Sequence, residues 1–173
     1  MLTRMTYWTS GFTQSELDQA QERYDIRFPP DLAGFLLDRS PGGGYDWSTD
    51  DHRIHRMLAW PTELLLFDVE NGLWWPGWGE RPFEKRARAE VVRDAVKRVP
   101  KLIPIFSHRF IPQDPGIAGN PVFSMHGFDT IYYGANLNEY FENEFGGARN
   151  EFGKVHNIGP TRHISFWSDI VDW

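Results

Sequence analysis

The sequence predicts an α+β fold, a single domain over 1–173 with a largely antiparallel, twisted sheet and helices packed mainly on one side. Three observations carry this. Helical patterns lead the chain, apolar strand-like runs cluster in its second half, and a helical pattern then returns. The connections between the strand-like runs are mostly too short for crossover helices, which favours antiparallel pairing. A length of 173 residues suits one domain with a sizeable core.

Phe12-Thr-Gln-Ser-Glu-Leu17 opens the first helix: Thr13 can cap it, Glu16 can reach back, and Phe12 and Leu17 hold the staple positions. Leu17, Ala20 and Tyr24 share its apolar face. Pro29-Pro30 ends this element and opens a short helix carrying Leu32, Phe35 and Leu36. Ser40-Pro-Gly-Gly-Gly44 stops that helix. No Lys-Ser/Thr follows, so these glycines read as a turn needing positive φ and not as a phosphate loop. A short helix over Asp50–Leu58 and a strand over Glu63–Glu70 come next. Leu73-Trp-Trp-Pro-Gly-Trp-Gly79 reads as an aromatic loop or strand end. Phe83–Val99 is the clearest amphipathic helix, with Ala87, Val91, Val92, Ala95, Val96 and Val99 on one face, and Pro100 ends it.

Strands follow at Leu102–Phe106, Pro121–Met125 and Thr130–Tyr133. Asn136 caps a helix whose apolar face is Leu137, Tyr140, Phe141 and Phe145, and Gly146 stops it. Gly146–Pro160 reads as a polar loop. Ile164–Trp173 closes the chain as a docked apolar segment. No repeat, low-complexity tract or linker is visible.

Composition narrows the function. Eight Trp and thirteen Phe are much large apolar surface to hide or to present to a partner. Cys is absent, which excludes disulfides and thiolate metal sites. Met1-Leu-Thr-Arg-Met-Thr-Tyr-Trp8 has no apolar signal-peptide core, and the apolar run Leu64–Phe67 is too short to span a bilayer. These features imply a cytoplasmic protein with no membrane partner. The net charge of −6 argues against general nucleic-acid binding and suits a basic partner. The charge is uneven: Arg81–Lys101 holds eight basic and three acidic residues, +5, which leaves −11 for the remainder. Pairs such as Glu84–Arg88 and Asp94–Arg98 make that segment read as a solvated helix face.

Three blocks, taken in order, resemble the SUKH superfamily. The first is Leu17…Ala20…Tyr24-Asp-Ile-Arg-Phe-Pro-Pro-Asp-Leu-Ala-Gly-Phe-Leu36 with the glycine turn after it. The second runs from Leu102-Ile-Pro-Ile to Gly119-Asn-Pro-Val-Phe-Ser124. The third is Tyr132-Tyr-Gly134 with Asn136-Leu137, Tyr140 and Glu144-Phe145. The similarity spans about 12–145, with Phe166-Trp167 as a closing match. The chain departs from the family pattern at Leu32, at Gly42-Gly-Gly44 and in the longer segment 45–101. The superfamily includes fungal cell-wall-assembly regulators and bacterial immunity proteins that neutralise toxins of polymorphic systems. The resemblance therefore implies a non-enzymatic protein-binding domain, in its most specific form an immunity protein for a basic toxin domain such as a nuclease. A regulatory or scaffolding role is the alternative within the family. It brings no catalytic residues, cofactor or metal.

The residues also allow an enzyme reading, centred on His108 or on the His52/His55 pair. His52 and His55 lie three apart beside Asp50 and Asp51, but a third ligand is missing, so a solvated helix explains them better than a metal. His108 has no nucleophile elbow around Ser107 and reads as a histidine satisfying loop carbonyls. No catalytic residue and no metal ligand is expected. The partner-binding residues expected are Trp75, Trp78, Glu80 and Arg81, with His108 and Arg109. Alternation along an extended chain turns Trp74 and Trp75 to opposite sides, so Trp74 reads as core, and Trp75 or Trp78 as an exposed anchor. The expected assembly is a monomer or weak homodimer.

Overall fold

The computed structural model describes residues 8–146 and 158–173. The stretch Met1–Tyr7 and most of the expected loop Gly146–Pro160 lie outside the described residues.

Helix α1 (Gln14–Tyr24) begins as the sequence predicts. Thr13 accepts from the Glu16 amide, and the Glu16 carboxylate accepts from the Thr13 amide, which completes a capping box. Leu17, Ala20 and Tyr24 are its buried residues. Helix α2 (Pro30–Asp38) starts on a proline and buries Leu32 and Leu36. A short ribbon then appears that the sequence reading missed: β1 (Trp8–Ser10) pairs antiparallel with β2 (Arg39–Pro41). Three residues per strand leave no period to read, and Pro41 is tolerated because a two-stranded ribbon consists of edges.

The expected strand Glu63–Glu70 is not a strand. It is the second half of α3 (Asp51–Glu70), a single helix of 20 residues whose first half is the expected helix Asp50–Leu58. Its buried residues, Ile54, Met57, Pro61, Leu65 and Val69, fall three or four apart, which is one helical face. Within 63–70 the fully buried residues are Leu65 and Val69, one helical turn apart, where a strand would bury alternate residues. Leu and Glu are strong helix formers, and Pro61 removes only one ladder hydrogen bond from a helix long enough to bear it. Helix α4 (Lys85–Lys97) follows and packs on α3, burying Val92. It starts two residues later than Phe83, which leaves Phe83 outside it.

The main sheet has four strands in the order β3 (Leu102–Phe106), β4 (Arg109–Pro112), β5 (Val122–Ser124) and β6 (Ile131–Gly134), every neighbouring pair antiparallel. Strand β4 takes the place in the sheet that Glu63–Glu70 was expected to fill. The two-residue turn Ser107-His108 folds it back on β3, with Phe106 opposite Arg109. Ser107 holds a left-handed φ of 49°, as a tight hairpin requires, though Ser-His is no turn signal. The Tyr45 hydroxyl donates to the Ser107 carbonyl at 2.5 Å and braces the turn.

Consecutive residues of β3, β4 and β5 are buried, so both faces of these strands are covered. Helix α3 contacts β3, and α5 (Leu137–Phe145), capped by Asn136, contacts β6. A last short helix, α6 (Trp167–Val171), buries Trp167 and Ile170, and the Trp167 indole donates to the Pro100 carbonyl at 2.8 Å. Both sheets are antiparallel and the architecture is α+β.

Gly134 sets how closely α5 can lie on β6. A Cβ there would sit 2.5 Å from the Tyr140 amide nitrogen and 2.7 Å from its Cα. Backbone cannot give way as a side-chain tip can, so Gly134→Ala should lose about 1–3 kcal/mol, as overpacked sites do. Urea denaturation measures this; an unchanged midpoint would contradict the close approach of α5.

Candidate functional site

The end of α3 and the chain after it build an aromatic surface. Gly72, at φ 102°, turns the chain out of the helix, and the Leu73 amide donates back to the Asp68 carbonyl at 3.0 Å. Pro76–Trp78 makes one 3-10 turn. The Trp74 indole donates to the Gly79 carbonyl at 2.8 Å, which closes the loop. Its rings stand on aromatic neighbours, so they are fixed by packing. Trp75 meets Phe166 and Trp173 edge-on, with centroids 5.7 and 5.3 Å apart. Trp78 meets Trp74 at 5.2 Å, and Phe128 and Phe166 at 5.8 Å. Trp74, Trp75 and Trp78 are all half-buried, so each presents part of its ring to solvent. The expected split between an inward Trp74 and an outward Trp75 does not arise: both are partly buried and packed against the core, although Trp75 itself is extended.

Two arginines staple this loop to α3. Arg81 donates to the Val69 carbonyl at 2.9 Å, at the helix end, where the same carbonyl also accepts from the Gly72 amide at 3.2 Å. Arg88 grips Glu70 through both carboxylate oxygens, at 3.1 and 3.2 Å, and also donates to the carbonyls of Pro82 and Phe83. This holds the Glu70 carboxyl below the ordinary range, chiefly through the Arg88 hydrogen bond. With its carbonyl held, Phe83 projects a ring that is 92% exposed. Phe67 on α3 is 64% exposed. Glu80 and Arg81 are exposed and line a shallow cleft of about 630 Å³ with Pro82, Phe83 and Arg88. The structure thus brings Trp75, Trp78, Glu80 and Arg81 onto one loop. It adds Phe83, which the sequence reading placed inside α4.

His108 and Arg109 are elsewhere, on the β3–β4 turn. None of their hydrogen bonds or ring contacts among the described residues reaches the tryptophan loop. Arg109 donates to Glu144 of α5 at 2.9 Å and to the Ser124 hydroxyl at 2.8 Å, and lies 3.9 Å from the Tyr133 ring centroid. The side chains of this pair are 12% and 7% exposed, so Arg109 ties α5 to the sheet. Removing one partner of a buried pair strands the other charge. Glu144→Ala should therefore cost about 3–5 kcal/mol in chemical denaturation; a loss below about 1 kcal/mol, as for a surface pair, would contradict this.

His108 shares its ring nitrogens with the Ser107 hydroxyl and the Arg109 guanidinium. Burial first, then the Arg109 charge and His126, pull its pKa from 6.5 to about 4. A serine–histidine pair needs a group that stabilises the imidazolium; here a cation occupies that place, and the ring is a weak base. The unfolded chain takes up this proton as pH falls through 6.5, the folded chain only near 4. His108 therefore adds stability that is complete above pH 6.5 and lost toward pH 4. The urea midpoint should fall across that window, and His108→Gln should remove part of the fall. An identical pH profile in the variant would contradict the shift.

The other histidine pair does not converge. His55 faces Asp51 at 3.3 Å and the Tyr24 ring at 5.0 Å. Among the described residues no group of three or more His, Asp or Glu is arranged to hold a metal ion. No described helix is long and apolar enough to cross a membrane. No family model, curated protein or solved structure matches the chain.

Proposed function

We propose that the chain is a non-enzymatic protein-binding domain of the SUKH type, acting in the cytoplasm as an immunity protein that binds and blocks a cognate toxin. The observation that carries the binding reading is the tryptophan loop: Trp75 and Trp78 pack against the core yet keep part of their surface in solvent, and Phe83, a few residues on, is bare. Trp is among the residues enriched at interface anchors, and a ring held by packing on one side can present the other to a partner. The immunity reading rests on the family resemblance of the three sequence blocks. A regulatory or scaffolding role would use the same surface.

The test is pull-down with the products of neighbouring genes, followed by co-expression with the toxin found. Co-expression should rescue growth. Trp78→Ala, in protein shown to be folded, should raise the dissociation rate at least about tenfold, the effect of losing a buried anchor worth about 2 kcal/mol. Glu80→Lys should change mainly the association rate, and more so at low salt. Wild-type binding by folded Trp78→Ala would remove the loop from the interface. A defined substrate turned over by the chain and lost in His108→Ala would replace binding with catalysis.

A further inference from the structure

We infer that a small cavity enclosed by α3, α4, β3 and α6 binds a neutral aromatic molecule of one ring or two fused rings. This goes beyond the protein-binding reading and does not depend on it.

The cavity holds about 170 Å³. Its apolar wall is Tyr24, Ile26, Leu58, Pro61, Leu102 and Trp167. These come from the end of α1 and the chain after it, from α3, from the start of β3 and from α6. All are buried except Leu58, which is half-buried. Thr62, Val96 and Pro100 are half-buried and Lys101 is exposed, so with Leu58 they mark where the cavity meets solvent.

The space persists because the groups around it are held elsewhere. The Trp167 indole donates to the Pro100 carbonyl at 2.8 Å, which fixes the ring in the wall. The Lys101 ammonium donates to the Asp25 carboxylate at 2.7 Å, which holds its stem across the start of β3. The Ile26 amide donates to the Gln21 carbonyl at 3.1 Å. On α3 the buried residue at this place is Pro61, whose ring is tied to its own backbone and cannot reach across as a leucine would. Walls that cannot relax keep a cavity open instead of collapsing into it.

The lining sets the chemistry of the ligand. Lys101 is the one charged residue in it, and that charge already faces Asp25. A charged ligand would therefore lose its hydration without gaining a partner, which is costly. The Thr62 hydroxyl has no hydrogen-bond partner among the described residues, so it can accept one N–H or O–H from a ligand. An apolar protein cavity of about 150 Å³ takes up benzene, so this one suits a molecule of about six to nine heavy atoms. The rings of Tyr24 and Trp167 favour an aromatic over an alkyl occupant, because ring pairs gain attraction beyond their buried area.

The test titrates the intact chain with benzene, indole and benzoate and follows its methyl groups by NMR. Benzene and indole should give saturable shifts and nuclear Overhauser contacts to the methyls of Ile26, Leu58, Val96 and Leu102. Benzoate should give neither. Val96→Phe, which fills the cavity from α4, should abolish the saturable shifts in protein shown to be folded. If that variant does not fold, Leu58→Phe fills the same space from α3 and is held to the same result. Thr62→Val should weaken indole at least about threefold, the worth of one neutral hydrogen bond, and leave benzene unchanged. No saturable shift with either ring, contacts only to residues outside the wall, or unchanged indole binding in a folded filled variant would overturn the site. Benzoate binding as tightly as benzene would overturn the neutral ligand class. The tryptophan loop is no part of this wall, so either failure leaves the protein-binding reading standing.

Discussion

Arg88 meets four acceptors: the two carboxylate oxygens of Glu70 and the carbonyls of Pro82 and Phe83. The guanidinium is planar with donors in a fixed fork, so such a set can be met only if the last turn of α3, the chain before α4 and the first turn of α4 hold one arrangement. Its side chain is 12% exposed and that of Glu70 29%, so solvent screens the pair in part, and its weight lies in the geometry it fixes. The consequence is geometric. The connection between α3 and α4 is held in place, its tryptophans pack against the core residues Phe128 and Phe166, and Phe83 is left exposed.

Arg109 does similar work on the sheet. It reaches Glu144, Ser124 and the face of Tyr133, so one side chain joins β4, β5, β6 and α5. Its neighbour His108 has its pKa pulled down to about 4, by burial first and by the Arg109 charge second. Asp68 makes a third tie. It accepts from the Phe128 amide at 2.8 Å, and Gly127, at φ 64°, leaves room for it, since a Cβ there would lie 2.1 Å from the carboxylate. That contact joins α3 to the β5–β6 turn, against which Trp78 packs. The exposed aromatics thus stand on a frame of polar contacts to backbone carbonyls and amides, which fits a preformed surface that loses little order on binding.

The parts of this fold that announce themselves in the sequence are those with local chemistry. Thr13 with Glu16, Asn136, and the apolar β3 after Pro100 were legible because caps, turns and breakers act on their own neighbours. Two features were not legible, for physical reasons. The run Glu63–Glu70 contains adjacent apolar residues that satisfy either period; only continuity with Ile54 and Met57 across Pro61 shows the helical face. The ribbon of Trp8–Ser10 on Arg39–Pro41 is a long-range pairing with no pattern of its own. The candidate site was half visible. The dense tryptophans marked the loop, but Phe83 looked like the first apolar residue of α4, and only the true start at Lys85 leaves it bare. His108 and Arg109, adjacent and polar between apolar runs, looked like surface groups; the reach of α5 across the sheet encloses Arg109.

The measurement that bears most directly on the central claim is hydrogen exchange on the chain with and without a protein partner isolated by pull-down. Amides of residues 71–84 and the first turn of α4 should slow on binding, while the β3–β4 turn around Ser107 should not change. Unchanged exchange over 71–84, with protection appearing elsewhere, would contradict the claim that the tryptophan loop is the binding surface.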